Sequence, residues 1–405
     1  MKMINMNNDL KELKEKIFRE IKRDEVVNFL KDVLSTPSVS GNELEVAKVF
    51  EEWLKKYNIK YDVVAARKES PNIIAYLEGE EKQPTLLFNG HMDTVPEGDL
   101  DKWSVDPYGA VIKDDRIYGR GATDMKSALV AMTVAAGLLN YFEVPLKGSL
   151  KISYVSDEEP GGEYGTLFLL KNGYLDATYG IVGEPSHLDI VIAHKGVVRF
   201  KLITKGVAKH AAYVEEAVNA VEKMAKLIVA ISNMKFDVEE HPLLGHPTIC
   251  AGSTIKGGTA INIVPDRCEA TFDIRTIPGL SSDDVYRVLE ETIRKEKEKD
   301  PEIDVTIEKI LVGEASEVKR DSAIVRFAEE SVIEILNRKP KIMGCLPACD
   351  ARFLNHAGIP TICAFGPGGD DCNPHGYDEF VSISEVIDAI KVYVSVILKA
   401  VGVKM

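Results

Sequence analysis

The sequence predicts an α/β protein, a mostly parallel sheet with helices, interrupted by a smaller α+β insert. Three observations carry that reading. Short apolar strands alternate with helical segments between residues 72 and 182. After His194 the alternation gives way to a β-α-β-β-α-β order, the signature of a ferredoxin-like unit. Beyond about residue 312 the alternating character returns. At 405 residues the chain is also too long for one typical core, so two domains are expected. The boundaries read as 1–195 plus 312–405 for a discontinuous domain, with 196–311 inserted.

In chain order, the first 21 residues read as a charged amphipathic helix, with no apolar stretch of the kind a secretory signal needs. Residues 25–56 look helical, broken near Thr36-Pro37-Ser38. Asn72–Leu77 is β-rich, and Thr85–Phe88 is a short apolar strand ending at Asn89-Gly90. Met125–Leu139 is a strong helix former that is apolar nearly all round, so it should be buried. Leu150–Val155 and Tyr179–Val182 are strands, with a helical stretch at Thr166–Leu170 between them. In the insert, strands are expected at Val197–Thr204, Pro247–Ile255, Arg267–Ile274 and Val305–Leu311, with helices at Ala217–Ile231 and Asp283–Lys297. Ser322–Asn337 and Ser384–Leu398 read as helices and Pro360–Ala364 as a strand.

Composition narrows the function. A net charge of −14 argues against nucleic acid, whose phosphates call for a basic surface. No apolar run is long enough to span a bilayer, so no membrane partner and a cytoplasmic location are expected. The six cysteines show no CxxC spacing, and inert thiols are preferred to a disulfide framework or a metal pair at Cys345 and Cys349. One glutamine, Gln83, among many Lys and Glu is a bias of heat-stable proteins.

Five short segments carry chemistry. In Gly90-His91-Met92-Asp93, just after a strand, residues two apart share a direction, so Asp93 is placed to hold the ring of His91. By itself this segment could equally be a polar turn. Gly119–Lys126 opens the buried helix, and Asp124 could bind a cation there or simply complement the helix dipole. Asp157, Glu158 and Glu159 follow an apolar strand, where neighbouring acids need a positive partner unless solvated. Glu184 again follows a strand, and Gly366-Pro367-Gly368-Gly369 precedes His375. In an open α/β sheet, strand ends and helix starts gather at one edge, where ligands bind. Two histidines and three carboxylates suit a pair of zinc ions with one carboxylate bridging. That leaves one acid, Glu158 or Glu159, as general base.

Together HMDTVP, GRGATDMK, SDEEPGG, GEPS, INIVPD with DIR, and GPGG followed by His375 resemble metallopeptidase family 20 in its broad sense. That family includes acetylornithine deacetylase, succinyl-diaminopimelate desuccinylase, aminoacylase and glutamate carboxypeptidase. The resemblance spans residues 36–398. It implies a zinc-exopeptidase-like catalytic domain with an inserted lid or dimerisation domain. It implies two Zn²⁺ per chain, with Co²⁺ able to substitute. His91 and Glu184 would serve one ion, Glu159 and His375 the other, and Asp124 would bridge, followed by a cis peptide to Met125. Glu158 becomes the base and Asp93 the partner of His91. In the insert, His210 matches a histidine that reaches the scissile carbonyl, often from a dimer partner. Asn262 and Arg275 match residues that hold a substrate carboxylate. The run after His210, Ala211-Ala212-Tyr213-Val214, departs from the family's small polar residues and proline, which leaves local substrate contacts open.

The remaining histidines, His187, His194, His241, His246 and His356, match no ligand segment and read as packing or surface residues. The expected activity is hydrolysis of the amide bond of an N-acyl amino acid, of deacetylase or desuccinylase type, by a homodimer. A dipeptidase or aminopeptidase on the same metals is the alternative. A non-catalytic binding protein is a distant third, because degenerate members should lose ligands or the base.

Overall fold

The computed structural model describes residues 2–404, with side chains from Leu10 onward. It divides the chain into two compact units: one holds the chain up to Ile192, Glu317–Met343 and everything from Cys349, the other Ala193–Ser316 and Gly344–Ala348.

The larger unit is built on a six-stranded sheet. Its strands, in spatial order, are Lys60–Arg67, Ser70–Leu77, Ser149–Val155, Thr85–His91, Tyr179–Val182 and Thr361–Ile362. The last four run parallel, and the first two add an antiparallel hairpin at one edge. The sheet is therefore mixed, with a parallel centre. Every residue of Thr85–His91 is buried, as a central parallel strand requires. Lys60–Arg67 is exposed along most of its length, as an edge strand can be. A separate small sheet joins Val111–Lys113, Arg116–Tyr118 and Phe380–Ser382.

Helices cover this sheet. Ser127–Tyr141 is buried from Ser127 to Leu139. By length and composition Ala122–Tyr141 could cross a membrane, yet 94% of its apolar window is buried inside the protein, so it is a core helix. It begins two residues later than its sequence suggests, because Ala122–Lys126 forms a wider turn in which Asp124 and Met125 leave helical geometry. The C-terminal helix Ile383–Val401 packs on it and on Ala323–Leu336. Its Tyr393 lies 5.1 Å from the ring of Phe88 and donates its hydroxyl to the Phe365 carbonyl. The helix Lys2–Arg19 buries Ile17, and its Lys14 pairs with Glu334.

The inserted unit has a four-stranded antiparallel sheet in the order Thr248–Gly257, Arg267–Thr276, Gly196–Lys205, Asp304–Gly313. Helices Ala220–Ser232 and Ser282–Lys299 complete the ferredoxin-like order. Its own core centres on Phe200 and Phe272, stacked at 4.9 Å. The insert's edges differ from the sequence reading. The last strand continues to Gly313, paired with Val197, which carries the boundary beyond 312. Residues 344–348, assigned by sequence to the flanking domain, belong to the inserted unit. There Lys195 N–H donates to the Cys345 carbonyl at 3.2 Å, and Gly344 packs on Leu244.

Candidate metal centre

Parallel pairing brings the carboxyl ends of three strands of the larger unit to one edge. Thr85–His91 ends on His91, Ser149–Val155 leads into Glu158 and Glu159, and Tyr179–Val182 leads into Glu184. Gly90 and Gly183 precede two of these side chains for a packing reason. A Cβ at either would come within 2.4 and 2.7 Å of the Met125 methyl, which fills the space between them. The peptide joining Asp124 to Met125 is cis.

Asp124 stands between the two histidines. Its Oδ1 lies 3.1 Å from His91 Nε2 and its Oδ2 3.1 Å from His375 Nε2. Glu184 Oε1 is 3.6 Å from His91 Nε2, and both Glu159 oxygens are 3.1 Å from His375 Nε2. Donor atoms of His91, Asp124 and Glu159 all fall within 4.8 Å of one another, as do those of His91, Glu158 and Glu184.

Asp93 contributes differently from the sequence expectation. Its backbone carbonyl, not its carboxylate, lies nearer His91 Nδ1, at 2.9 against 3.6 Å. The carboxylate instead accepts the N–H groups of Glu158 and Glu159 at 3.1 and 3.2 Å, and the Ser40 hydroxyl at 2.7 Å. It thereby fixes the backbone from which both acids project.

The titration behaviour follows from crowded acids. Hydrogen bonds to Asp124 and then Glu159 push His375 up to about 10. His91 is also raised well above its usual range, although burial works the other way, by Asp124, Glu184 and Asp93. Burial first, then the charge of Asp350, raises the Glu158 carboxyl; burial and Asp124 raise Glu184. The cluster thus recruits protons where positive charge is wanted. Imidazole nitrogens and carboxylate oxygens are the donor set that divalent zinc and its neighbours prefer. The residues fit a metal centre.

Four supporting side chains escaped the sequence reading. Glu379 is fully buried and accepts from Arg120 at 2.8 Å and from the backbone N–H groups of Gly121, Thr123 and Asp124 at 3.0, 2.9 and 3.0 Å. Lys126, also fully buried, donates to the carbonyls of Val33 and Thr36. Arg352 donates to the Gly161 carbonyl, and Asp350 accepts from Thr166 beside Glu158. The available signals were an acid four residues past His375 and the Asp350-Ala351-Arg352 run.

His210, Asn262 and Arg275 lie in the inserted unit. His210 precedes a short 3-10 turn, and its Nδ1 accepts from Ala212 N–H at 3.1 Å. Asn262 sits on the adjacent loop, its carbonyl accepting from Ala211 N–H. Tyr213, Val214, Ile261 and Ile263 on these loops are exposed. The Arg275 guanidinium is engaged by Asp273, with Nε at 2.7 Å.

Metal loading should depend on pH in a defined direction. In the metal-free protein the surrounding carboxylates favour histidines that carry protons. A cation has to displace them, so low pH opposes binding. Apparent affinity should rise with pH up to about 10, where His375 loses its proton unaided, by about tenfold per unit for each proton displaced. Calorimetric titration of metal-free protein at several pH values, in buffers of differing ionisation enthalpy, measures both affinity and proton release. A pH-independent affinity would contradict the assignment. Saturating metal should also raise the melting temperature, since it binds the folded chain preferentially.

The sequence profile described as peptidase family M20/M25/M40 matches residues 87–399. The chain is 26% identical over 392 residues to a probable succinyl-diaminopimelate desuccinylase of Staphylococcus epidermidis, covering 91% of this chain and 95% of that one. It is 33% identical over 264 residues to a succinyl-diaminopimelate desuccinylase of Ehrlichia ruminantium, covering 62% and 67%. Its fold is similar to that of an M20 family metallo-carboxypeptidase from Sulfolobus solfataricus, with a TM-score of 0.75 at 23% identity over 93% and 99% of the two chains.

Proposed function

This chain belongs to peptidase family M20/M25/M40, and from that metal-dependent amide-hydrolase chemistry we propose that it removes the acyl group from an N-acyl amino acid in the cytoplasm. The observation that carries the proposal is the position of Asp124, one oxygen toward His91 and the other toward His375. It divides the donors into two sets that share Asp124, His91 with Glu184 and His375 with Glu159. Glu158 lies beside the first set, with a donor atom within 4.8 Å of those of His91 and Glu184, and the family likeness assigns it the role of base and not of ligand. On this reading each set holds one Zn²⁺, with Co²⁺ able to substitute.

Bound divalent ions supply Lewis-acid polarisation of the amide carbonyl and a more acidic water. Glu158 then accepts the proton of the attacking water as the new C–O bond forms. It delivers that proton to the leaving nitrogen as the C–N bond breaks, giving a carboxylic acid and a free amine. Asp93 holds Glu158 and Glu159 in register through their N–H groups. In the inserted unit, His210 is assigned to the developing oxyanion, and Asn262 and Arg275 to the substrate carboxylate. The family likeness supports these roles and a homodimer.

Desuccinylase names among the relatives support an acyl amino acid over a dipeptide. Hydrolysis of matched panels of N-succinyl amino acids, N-acetyl amino acids and dipeptides by zinc- or cobalt-loaded protein tests the choice. The largest kcat/KM should fall in an acyl series. A dipeptide preferred over every acyl compound would move the function to a dipeptidase or aminopeptidase.

A further inference from the structure

A second cluster of mixed donors lies outside the centre described above. His187 has left-handed backbone, φ 52°, and its N–H donates to the Gly368 carbonyl at 2.6 Å. Its ring rests against Gly369, where a Cβ would come within 2.4 Å of it. Nδ1 is 2.9 Å from Glu385 Oε1, and Nε2 is 2.6 Å from Asp371 Oδ1. The buried Cys372 Sγ is 3.7 Å from that same Asp371 oxygen. One donor atom from each of His187, Asp371 and Cys372 falls within 4.8 Å of the other two.

We propose that His187, Asp371 and Cys372 form an additional binding site for a divalent cation of zinc chemistry, with Glu385 fixing the imidazole. Histidines that bind metal have their second ring nitrogen held by a carboxylate or carbonyl, and Glu385 occupies that position. Nitrogen, oxygen and sulfur together select a borderline-soft ion over magnesium or calcium. The sulfur–oxygen spacing is close to what such an ion needs, and the nitrogen–oxygen spacing is shorter. At ordinary zinc bond lengths a tetrahedral S···O separation is about 3.5 Å and N···O about 3.3 Å. The sulfur–oxygen distance is already near that value. The nitrogen–oxygen distance must open by roughly 0.7 Å, which the Asp371 side chain can do because it is 77% exposed. Solvent takes the fourth position. Binding releases the Cys372 thiol proton to water, and any proton on His187 Nε2 with it.

The site ties two loops of the larger unit. His187 follows Glu184 by three residues, and Cys372 precedes His375 by three. An ion here would pin one loop from each half of the proposed catalytic centre. The inference does not rest on the activity proposed for that centre.

The test compares wild type with Cys372→Ser and His187→Asn. Asparagine tolerates left-handed backbone, so the second variant keeps the loop. Each protein is dialysed against buffered Zn²⁺ and its metal-to-protein ratio measured. Parallel samples loaded with Co²⁺ are examined for a thiolate-to-cobalt charge-transfer band in the near ultraviolet. Wild type should hold one more ion per chain than either variant, and the band should vanish in both. Equal metal content in all three, or an unchanged band in the variants, overturns the site. Loss of the ion in His187→Asn but not in Cys372→Ser overturns the sulfur ligand. The readout is a difference between proteins, so it holds whatever number of ions the other centre binds.

Discussion

Replacing Glu158 with glutamine is expected to lower kcat by about 10²–10⁴-fold, the usual contribution of a positioned acid–base group, while metal content stays at the wild-type level. The substitution keeps the volume and the backbone bond to Asp93 Oδ1, and removes only the proton acceptor. Glu159→Gln should behave otherwise. Glu159 is anchored to the other oxygen of Asp93 and turns both its own oxygens to His375. Losing its charge should weaken one metal site, so activity should return at higher metal concentration. Metal analysis alongside steady-state kinetics separates the two. Metal loss in Glu158→Gln, with Glu159→Gln loaded and inactive, would exchange their roles.

The largest loss of stability should come from Glu379→Ala, about 3–5 kcal/mol, because it strands the buried Arg120 charge. Three backbone N–H groups lose their acceptor in the same step, those of Gly121, Thr123 and Asp124. A double variant, Arg120→Met with Glu379→Leu, removes the stranded charge and should recover part of the loss. It should not recover all, since each unpaired buried N–H still costs about 1–3 kcal/mol. Chemical denaturation of the metal-free proteins measures both. Full recovery in the double variant would mean that the carboxylate serves only Arg120 and not the turn bearing Asp124.

The candidate centre is readable in the sequence to the extent that its residues sit at strand ends. Glu158, Glu159 and Glu184 stand out because an apolar strand should not stop on acids without a compensating charge. The supports were harder to read, because their local signals, an acid after His375 and the Asp350-Ala351-Arg352 run, say nothing of burial. Glu379 looks like any acid in a polar loop until the fold buries it against Arg120. Lys126 reads as a helix-start lysine, yet its amine ends on carbonyls about ninety residues away in sequence. The strand Lys60–Arg67 was missed because its apolar residues, Val63 to Ala66 among them, do not alternate with polar ones as a half-buried strand's do. Residues 344–348 were misassigned because their partners, Lys195 and Leu244, are distant in sequence. The parallel sheet centre and the insert's strand order followed from alternation alone, which tertiary context reinforces.

The closing of the larger unit's core by Ile383–Val401 has a consequence for synthesis on the ribosome. Ser127–Tyr141 is made early but gains the packing partner Ile383–Val401 only when that later segment has emerged. The inserted unit, nearly continuous in sequence, can fold while its host is still incomplete. The nascent chain therefore carries one nearly complete globule and a large sheet that lacks only its last edge strand but has apolar surface still uncovered. At the usual elongation rate of about 5–20 residues per second, the ninety or so residues after Ser316 leave that surface unsealed for several seconds. Truncation near the C-terminus should thus yield aggregation before it yields an inactive but folded enzyme.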